Sequence, residues 1–240
     1  MRHAYESVVK RLKLRPAGLA LERAYDIADK IDTMLDQRLQ YAFDERIGYL
    51  TQCPTNLGTA MRASVMLHLP ALDATGRISS LAATVSKLGL VIRGAYGEGS
   101  SARGSIYQIS NQITLGITEQ AAIDNLRAIT LQIVSQERAA QEQLLKSEAE
   151  IDKIWRARGV LSSARLLSAD EFMTLVSLVR MGAARQIFNL SLEKLNELIV
   201  RMQPATINAA SGQNLPPAKR DAIRAEAVRT ALLTQGDDTQ

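Results

Sequence analysis

The sequence predicts an α+β protein in which an antiparallel sheet flanked by helices is followed by an all-helical C-terminal domain. Two patterns predict this class. Short runs rich in β-branched residues are confined to residues 47–109, whereas apolar residues recur at helical spacing from residue 118 to residue 233. With 46% hydrophobic residues among 240, the chain can bury the core of one large or two modest domains.

Seven helices and four strands follow from the local patterns. Thr118 and Ser168 stand where helix caps are expected, and Pro217 suits a first helical turn. Breaks are predicted at Gly159 and over residues 202–214. The helices are predicted over residues 19–39, 74–87, 118–146, 149–158, 168–181, 191–202 and 217–233. The strands are predicted over residues 47–53, 64–69, 88–95 and 105–109.

Alternation along the strand at residues 64–69 separates two faces. The apolar face is expected in the core, and the mixed face is expected to look at a ligand. His68 is predicted to be a sheet-surface residue, because it has no cysteine or acidic partner at metal-ligand spacing. The mixed face carries Arg62, Ser64, Met66 and His68.

Three segments follow from composition and periodicity. Residues 1–18 form a basic leader. Two interpretations of it stay open, a targeting peptide and a loosely ordered remnant of a longer ancestor. Residues 19–147 form a sheet-containing domain, and residues 148–240 form a helical domain. The apolar stripes of the helices in this last segment suit dimerisation, so a homodimer is expected.

Composition excludes several classes of function. A net charge of +4 spread over 240 residues, with 4% aromatic residues, does not favour nucleic-acid binding. One cysteine and two histidines offer no zinc-type ligand set and no internal disulfide, so no protein-bound metal is expected. No apolar run is long enough for a membrane span or the core of a signal peptide. The prediction is a cytoplasmic protein without membrane contact.

Three short strings carry residue types that suit phosphoryl transfer to a guanidinium group. Together they supply a thiol, two arginines and a carboxylate. Arginine forms bidentate, charge-assisted bonds to phosphate oxygens and stays protonated at working pH. The ordinary interpretation of a single arginine remains a surface salt bridge. The ordinary interpretation of a lone cysteine remains a buried packing residue. The strings are CPTNLGT at residues 53–59, RAS at 62–64 and RGAYGE at 93–98.

In this order the strings closely resemble the ATP:guanido phosphotransferases, or phosphagen kinases, and within them the bacterial protein-arginine kinases. Met66 and Gln108 stand where animal phosphagen kinases usually carry a histidine and an aspartate, which favours the bacterial branch. The resemblance implies that Cys53 orients the guanidinium group and that Glu98 contacts it and acts as base. It also implies ATP as cofactor, with Mg²⁺ bound through the phosphates. The implied ATP-binding residues are Arg62, Ala63, Ser64, Val65, Met66, Arg93, Gly94, Ala95, Tyr96, Gly97 and Glu98.

A fourth string lies in the helical tail. Residues 220–225 read RDAIRA, which matches the Arg-Asp-x-x-Arg-Ala motif that the bacterial branch associates with phosphoarginine recognition and allosteric activation. Arg220 and Arg224 are four apart and share a helix face, and Asp221 can pair with Arg224. An ordinary solvated helix face is the alternative. The resemblance assigns Arg220, Asp221, Arg224 and Ala225 to phosphoarginine binding.

The resemblance implies a protein-arginine kinase that transfers the ATP γ-phosphoryl group to arginine side chains of proteins. The resemblance implies that such phosphorylation sends substrates to a Clp-type protease and also acts on stress-response regulators. The expected partners are therefore the Clp-type protease, these regulators and proteins with exposed arginines. The family also carries an N-terminal domain with further phosphate-binding arginines and a second catalytic carboxylate, which residues 1–18 do not match. The alternative is therefore a catalytically impaired fragment that acts as a phosphoarginine- or nucleotide-binding regulatory module.

Overall fold

The computed structural model describes residues 18–39, 41–94 and 102–233. The predicted leader falls almost wholly outside these ranges. The helices are α1 (Leu21–Leu39), α2 (Pro70–Ala74), α3 (Ile78–Lys87), α4 (Glu119–Leu144), α5 (Glu148–Ser163), α6 (Ala169–Ala184), α7 (Leu192–Arg201), α8 (Pro204–Ser211) and α9 (Pro217–Leu233). The strands are β1 (Phe43–Asp44), β2 (Gly48–Tyr49), β3 (Ser64–His68), β4 (Leu90–Gly94) and β5 (Ile106–Asn111).

Two small sheets confirm the predicted α+β class. Strands β1 and β2 form an antiparallel hairpin in which Phe43 faces Tyr49. The second sheet has the order β3-β5-β4. The backbone N–H of Asn111 donates to the carbonyl of Ala63, and that of Leu69 donates to Ser105, so β3 and β5 run antiparallel. From residue 119 onward, every regular element among the described residues is a helix.

Most predicted elements are confirmed, and helix capping explains several boundaries. The Thr118 hydroxyl accepts the N–H of Ala121 at 3.1 Å at the start of α4. The Ser168 hydroxyl accepts the N–H of Glu171 at 3.2 Å at the start of α6. Each cap satisfies a backbone donor that has no partner within its helix.

Four predicted boundaries are wrong. Only Gly48–Tyr49 of the run at 47–53 is a strand. The helix predicted over 74–87 starts only at Ile78, because Ala74 ends α2 and Gly76, with a φ of +67°, lies between the two helices. Gly159 lies within α5, where an exposed glycine costs only about 1 kcal/mol relative to alanine. The predicted break at 202–214 contains α8, which starts at a proline and ends at Gly212 in the left-handed conformation.

The chain divides into two compact units that interleave in sequence. Among the described residues, one comprises 18–39, 41–67, 78–93 and 108–135, and the other comprises 68–77, 94, 102–107 and 136–233. The predicted domain boundary at residue 147 stays a prediction. The core of the first unit includes Val85, Leu90, Ile109, Ile123, Leu126 and Ile133. The core of the second includes Ile154, Leu161, Phe172, Val176, Leu195 and Val228.

Within the described residues, no helix combines the length and the apolar character that a membrane span requires.

His68 ends β3 half-buried in a polar cluster of the second unit, so it is not the sheet-surface residue that the sequence predicts. Its ring Nδ1 lies 2.8 Å from Nη1 of Arg180, and its Nε2 lies 2.8 Å from the hydroxyl of Ser177. Because a guanidinium group can only donate, Nδ1 accepts and Nε2 carries the proton. Burial, and then the charge of Arg180, lowers the pKa of His68 to about 3.

This low pKa predicts a specific pH dependence of stability. The folded state holds His68 neutral, whereas the unfolded chain protonates near pH 6.5, so the free energy of unfolding falls as pH drops from 6.5 towards 3. Between pH 7 and pH 5, we expect the free energy of unfolding of the wild-type protein to fall by about 2 kcal/mol more than that of His68→Gln. Urea unfolding of both proteins at the two pH values measures the difference. Equal losses would contradict a neutral His68.

Candidate functional site

Cys53 lies in a tight turn that follows the β1–β2 hairpin. Residues Pro54–Asn56 form one turn of 3-10 helix, and Cys53 is the residue before it. The side chain of Cys53 is half-buried, with Sγ 3.0 Å from the hydroxyl oxygen of Thr55. Either the thiol or the hydroxyl can be the donor in this contact.

The loop that carries Cys53 is fixed by the chain just after β5. The N–H of Thr59 donates to the carbonyl of Thr114 at 2.9 Å, and the Thr114 hydroxyl donates to the carbonyl of Thr55 at 3.0 Å. Gly58 makes this approach possible. Its φ is +96°, and a Cβ there would lie 2.2 Å from the Thr114 carbonyl oxygen. The position of Cys53 thus depends on a glycine of its own loop and on a threonine that is distant in sequence.

Strand β3 presents the predicted alternation at its start. Arg62, Ser64 and Met66 are exposed, while Ala63 and Val65 between them are half-buried. The guanidinium group of Arg62 lies against the buried hydroxyl of Ser110 on β5, with Nε and Nη2 at 3.4 and 3.2 Å. An exposed arginine is therefore held by the neighbouring strand.

The second predicted arginine segment is described in part. Arg93 is half-buried and Gly94 is buried, both within β4, which lies on the other side of β5 from β3. Ala95, Tyr96, Gly97 and Glu98 lie outside the described residues. The sheet order thus gives the two arginine-bearing segments one shared neighbour, β5.

The RDAIRA string lies in α9 of the second unit, and its two arginines have different surroundings. Arg224 is fully buried, with an exposed fraction of 0%. Its Nε donates to the carbonyl of Met202 at 2.9 Å, and its Nη1 donates to the carbonyl of Leu167 at 2.6 Å and to the Asp221 carboxylate at 2.7 Å. Arg220 is half-buried and donates to the carbonyl of Leu215 at 2.9 Å.

In this conformation, therefore, Arg224 does not present its guanidinium group at the surface together with Arg220. Ala225 is also buried. The assignment of Arg220, Asp221, Arg224 and Ala225 to phosphoarginine binding stays a prediction.

Comparison with known families covers most of the chain. Residues 11–140 match the ATP:guanido phosphotransferase C-terminal catalytic domain, and residues 147–240 match the Protein-arginine kinase McsB C-terminal domain. The chain belongs to the ATP:guanido phosphotransferase family.

Individual relatives of this family member include bacterial proteins. It is 50% identical over 217 residues to the protein-arginine kinase of Caldanaerobacter subterraneus subsp. tengcongensis, which covers 90% of this chain and 64% of that protein. It is 49% identical over 226 residues to that of Clostridium kluyveri, covering 92% of this chain and 65% of that protein. The chain thus spans just under two thirds of the length of these relatives.

Solved structures include more distant similarities. A taurocyamine kinase from Schistosoma mansoni is 32% identical with a TM-score of 0.42, covering 50% of this chain and 16% of that one. A lombricine kinase is 28% identical with a TM-score of 0.43, covering 49% of this chain and 34% of that one.

The described residues of this chain include a cation that suits a phosphate-rich ligand. No group of three or more histidine, cysteine or acidic side chains comes together among them. Arg62, by contrast, offers a positioned cation at the start of β3. A nucleoside triphosphate fits this donor set, and Mg²⁺ would be held through its phosphates.

The sequence analysis missed two residues that contact the Arg62 segment. Ser110 and Asn111 follow the predicted fourth strand and were not expected at the site. A polar pair after a run of β-branched residues was the only local signal, and turns commonly carry the same residue types.

Gly58→Ala should loosen the loop that carries Cys53. We expect it to lower the free energy of unfolding by more than about 2 kcal/mol, since the new Cβ meets backbone and the positive φ is strained. Gly76→Ala is the matched control, because Gly76 also has a positive φ but no atom within 4 Å of the added Cβ. Denaturant unfolding and the rate of Cys53 alkylation measure both effects. Equal costs in the two variants would contradict the close approach to Thr114.

Arg224→Met should destabilise the protein strongly. Removal of the guanidinium group leaves the buried carbonyls of Met202 and Leu167 without this donor, at a cost of about 3 kcal/mol or more. Arg220→Met is the control and should cost about 1 kcal/mol, because Arg220 makes one bond from a half-buried position. Thermal and urea unfolding check the order. Equal stability of the two variants would show that Arg224 is not a structural residue.

Proposed function

We propose that this protein is a protein-arginine kinase, which transfers the γ-phosphoryl group of Mg-ATP to arginine side chains of proteins. The observation that carries the proposal is the held guanidinium group of Arg62, in the same compact unit as the Cys53 loop. Membership of the guanido phosphotransferase family supports it, as do relatives named protein-arginine kinase at 49–50% identity. A cation for the phosphates and a thiol for the acceptor are two parts that suit this reaction.

In the proposed reaction, a terminal nitrogen of the acceptor guanidinium group attacks the γ-phosphorus. A nitrogen–phosphorus bond forms, the bond to the β,γ-bridging oxygen breaks, and ADP leaves with the electron pair. Arg62 and Arg93 neutralise charge on the phosphate oxygens, which is the main contribution that a protein makes to phosphoryl transfer. Mg²⁺ bound by the nucleotide supplies further positive charge.

Cys53 and Glu98 act on the acceptor guanidinium group. The Cys53 thiolate attracts and orients the acceptor guanidinium group. Glu98 takes the proton that the attacking nitrogen loses, because a carboxylate that contacts a guanidinium group is placed to act as general base. The ATP-binding role of residues 62–66 and 93–98 is part of the same proposal.

We place the proposed activity in the bacterial cytoplasm, on proteins with exposed arginines. Phosphorylation marks these proteins for a Clp-type protease and acts on stress-response regulators. The working form is a homodimer. Phosphoarginine bound near the RDAIRA string of α9 regulates it.

A regulatory module is the second candidate. It would bind nucleotide or phosphoarginine without turnover. The observation that favours it is the held guanidinium group of Arg62, which can bind nucleotide phosphates whether or not turnover follows.

Arginine phosphorylation by the purified chain separates the two candidates. With Mg-ATP and an arginine-rich unfolded protein, we expect acid-labile phosphate on the substrate and at least a 100-fold loss of turnover in Arg62→Ala, as for other groups that stabilise transition-state charge. Glu98→Ala should lose turnover as well. Arg201→Ala is the control and should keep full activity, because Arg201 makes an exposed pair with Glu197.

Two other outcomes have clear meanings. Binding of Mg-ATP that depends on Arg62, without turnover, would support the regulatory module. Absence of turnover, together with absence of binding of both Mg-ATP and phosphoarginine, would contradict both candidates.

A further inference from the structure

Asn111, at the end of β5, uses its side-chain amide to hold another segment of backbone. The side chain is buried, with an exposed fraction of 5% for the residue. Its Oδ1 accepts the N–H of Ala63 at 2.8 Å, and its Nδ2 donates to the carbonyls of Met61 at 3.0 Å and Ile113 at 3.1 Å. Three of the four hydrogen bonds that an amide can form are therefore made to main chain.

Two of these bonds lie on either side of Arg62. The carbonyl of Met61 precedes it and the N–H of Ala63 follows it, so the amide of Asn111 spans the backbone of Arg62. Strand β3 begins at Ser64, after this point. The side chain of Asn111 thus extends the restraint of the sheet to a residue that precedes the strand.

Ser110 holds the other end of the same arginine. It is 2% exposed, and its hydroxyl oxygen accepts from both Nε and Nη2 of Arg62. An arginine side chain has a large rotamer entropy, which an unrestrained side chain loses when it binds a ligand. Part of this entropy is already lost in a side chain that is held before the ligand arrives.

We propose that Ser110 and Asn111 are positioning residues that preorganise Arg62 for the phosphates of a nucleoside triphosphate. We call this pair the Ser110–Asn111 clamp. This proposal rests on the proposed function, because binding of the nucleotide phosphates is the reason for holding an exposed cation in place. Asn111 fixes the backbone and Ser110 fixes the direction of the guanidinium group. Preorganised charges bind anions more tightly, because less conformational entropy is lost on binding.

Ser110 is the residue that separates positioning from simple stability. Loss of Asn111 would release backbone at three points and endanger folding. Loss of the Ser110 hydroxyl removes only its bonds to an exposed side chain. Ser177→Ala is the matched control, because Ser177 is also buried, at 5% exposed, and its hydroxyl also contacts a side chain, that of His68.

The experiment measures Mg-ATP binding by calorimetry on the full 240-residue chain. Ser110→Ala should raise the Kd about five- to tenfold, while Ser177→Ala should leave it within about twofold. Arg62→Ala should raise it at least about tenfold, and the double variant Arg62→Ala/Ser110→Ala should match Arg62→Ala alone. This non-additivity is expected if Ser110 acts through Arg62, and a merely structural role would not produce it. An unchanged Kd in Ser110→Ala, or additive effects, would overturn the proposal.

A second readout tests the clamp without nucleotide. In ¹⁵N-resolved NMR spectra, the Nε–H signal of Arg62, assigned by its loss in Arg62→Lys, should exchange slowly with water. Exchange should become faster in Ser110→Ala but not in Ser177→Ala. Equal exchange in all three proteins would show that the clamp does not exist. If the wild-type chain shows protection but no binding of Mg-ATP, the proposed function is wrong and the nucleotide role of the clamp falls with it.

Discussion

The hydrogen bonds made by residues 110–114 organise the candidate site, because three segments that are distant in sequence attach to this one stretch. Ser110 and Asn111 hold the segment at Arg62, and the N–H of Gln112 donates to the carbonyl of Gly89 just before β4 at 2.9 Å. Thr114 holds the Cys53 loop through main chain and side chain. As β5 is the central strand of its sheet, its end is a natural place for such anchoring.

This arrangement explains why the strings at 53–59 and 62–64 carry small and special residues. The Cys53 loop approaches the chain after β5 so closely that Gly58 has no room for a side chain. Ala63 contributes a backbone N–H and is half-buried beside β5. A few long or reactive side chains supply the chemistry of the site. The small residues next to them allow backbone segments to approach each other closely.

Periodic patterns predicted what depends on neighbours along the chain. Helix α9 was found at its observed bounds, and the exposed face at the start of β3 followed from alternation. The partners of His68 and Arg224 could not be found this way. His68 contacts Ser177 and Arg180, more than 100 residues later. A polar residue with a distant partner reads as a surface residue until the fold brings the two together, and this accounts for the wrong placement of His68.

The same limit applies to the two arginines that matter most. From sequence, Arg62 and Arg224 both look like cations available to an anion. In the fold, Arg224 donates to two carbonyls and a carboxylate, so an anion that competed for it would have to leave buried acceptors without that donor. The described contacts of Arg62 are to one hydroxyl, and the residue is exposed. A phosphate group that binds Arg62 therefore loses little free energy to competition with existing partners, which makes the start of β3 the better anion site of the two.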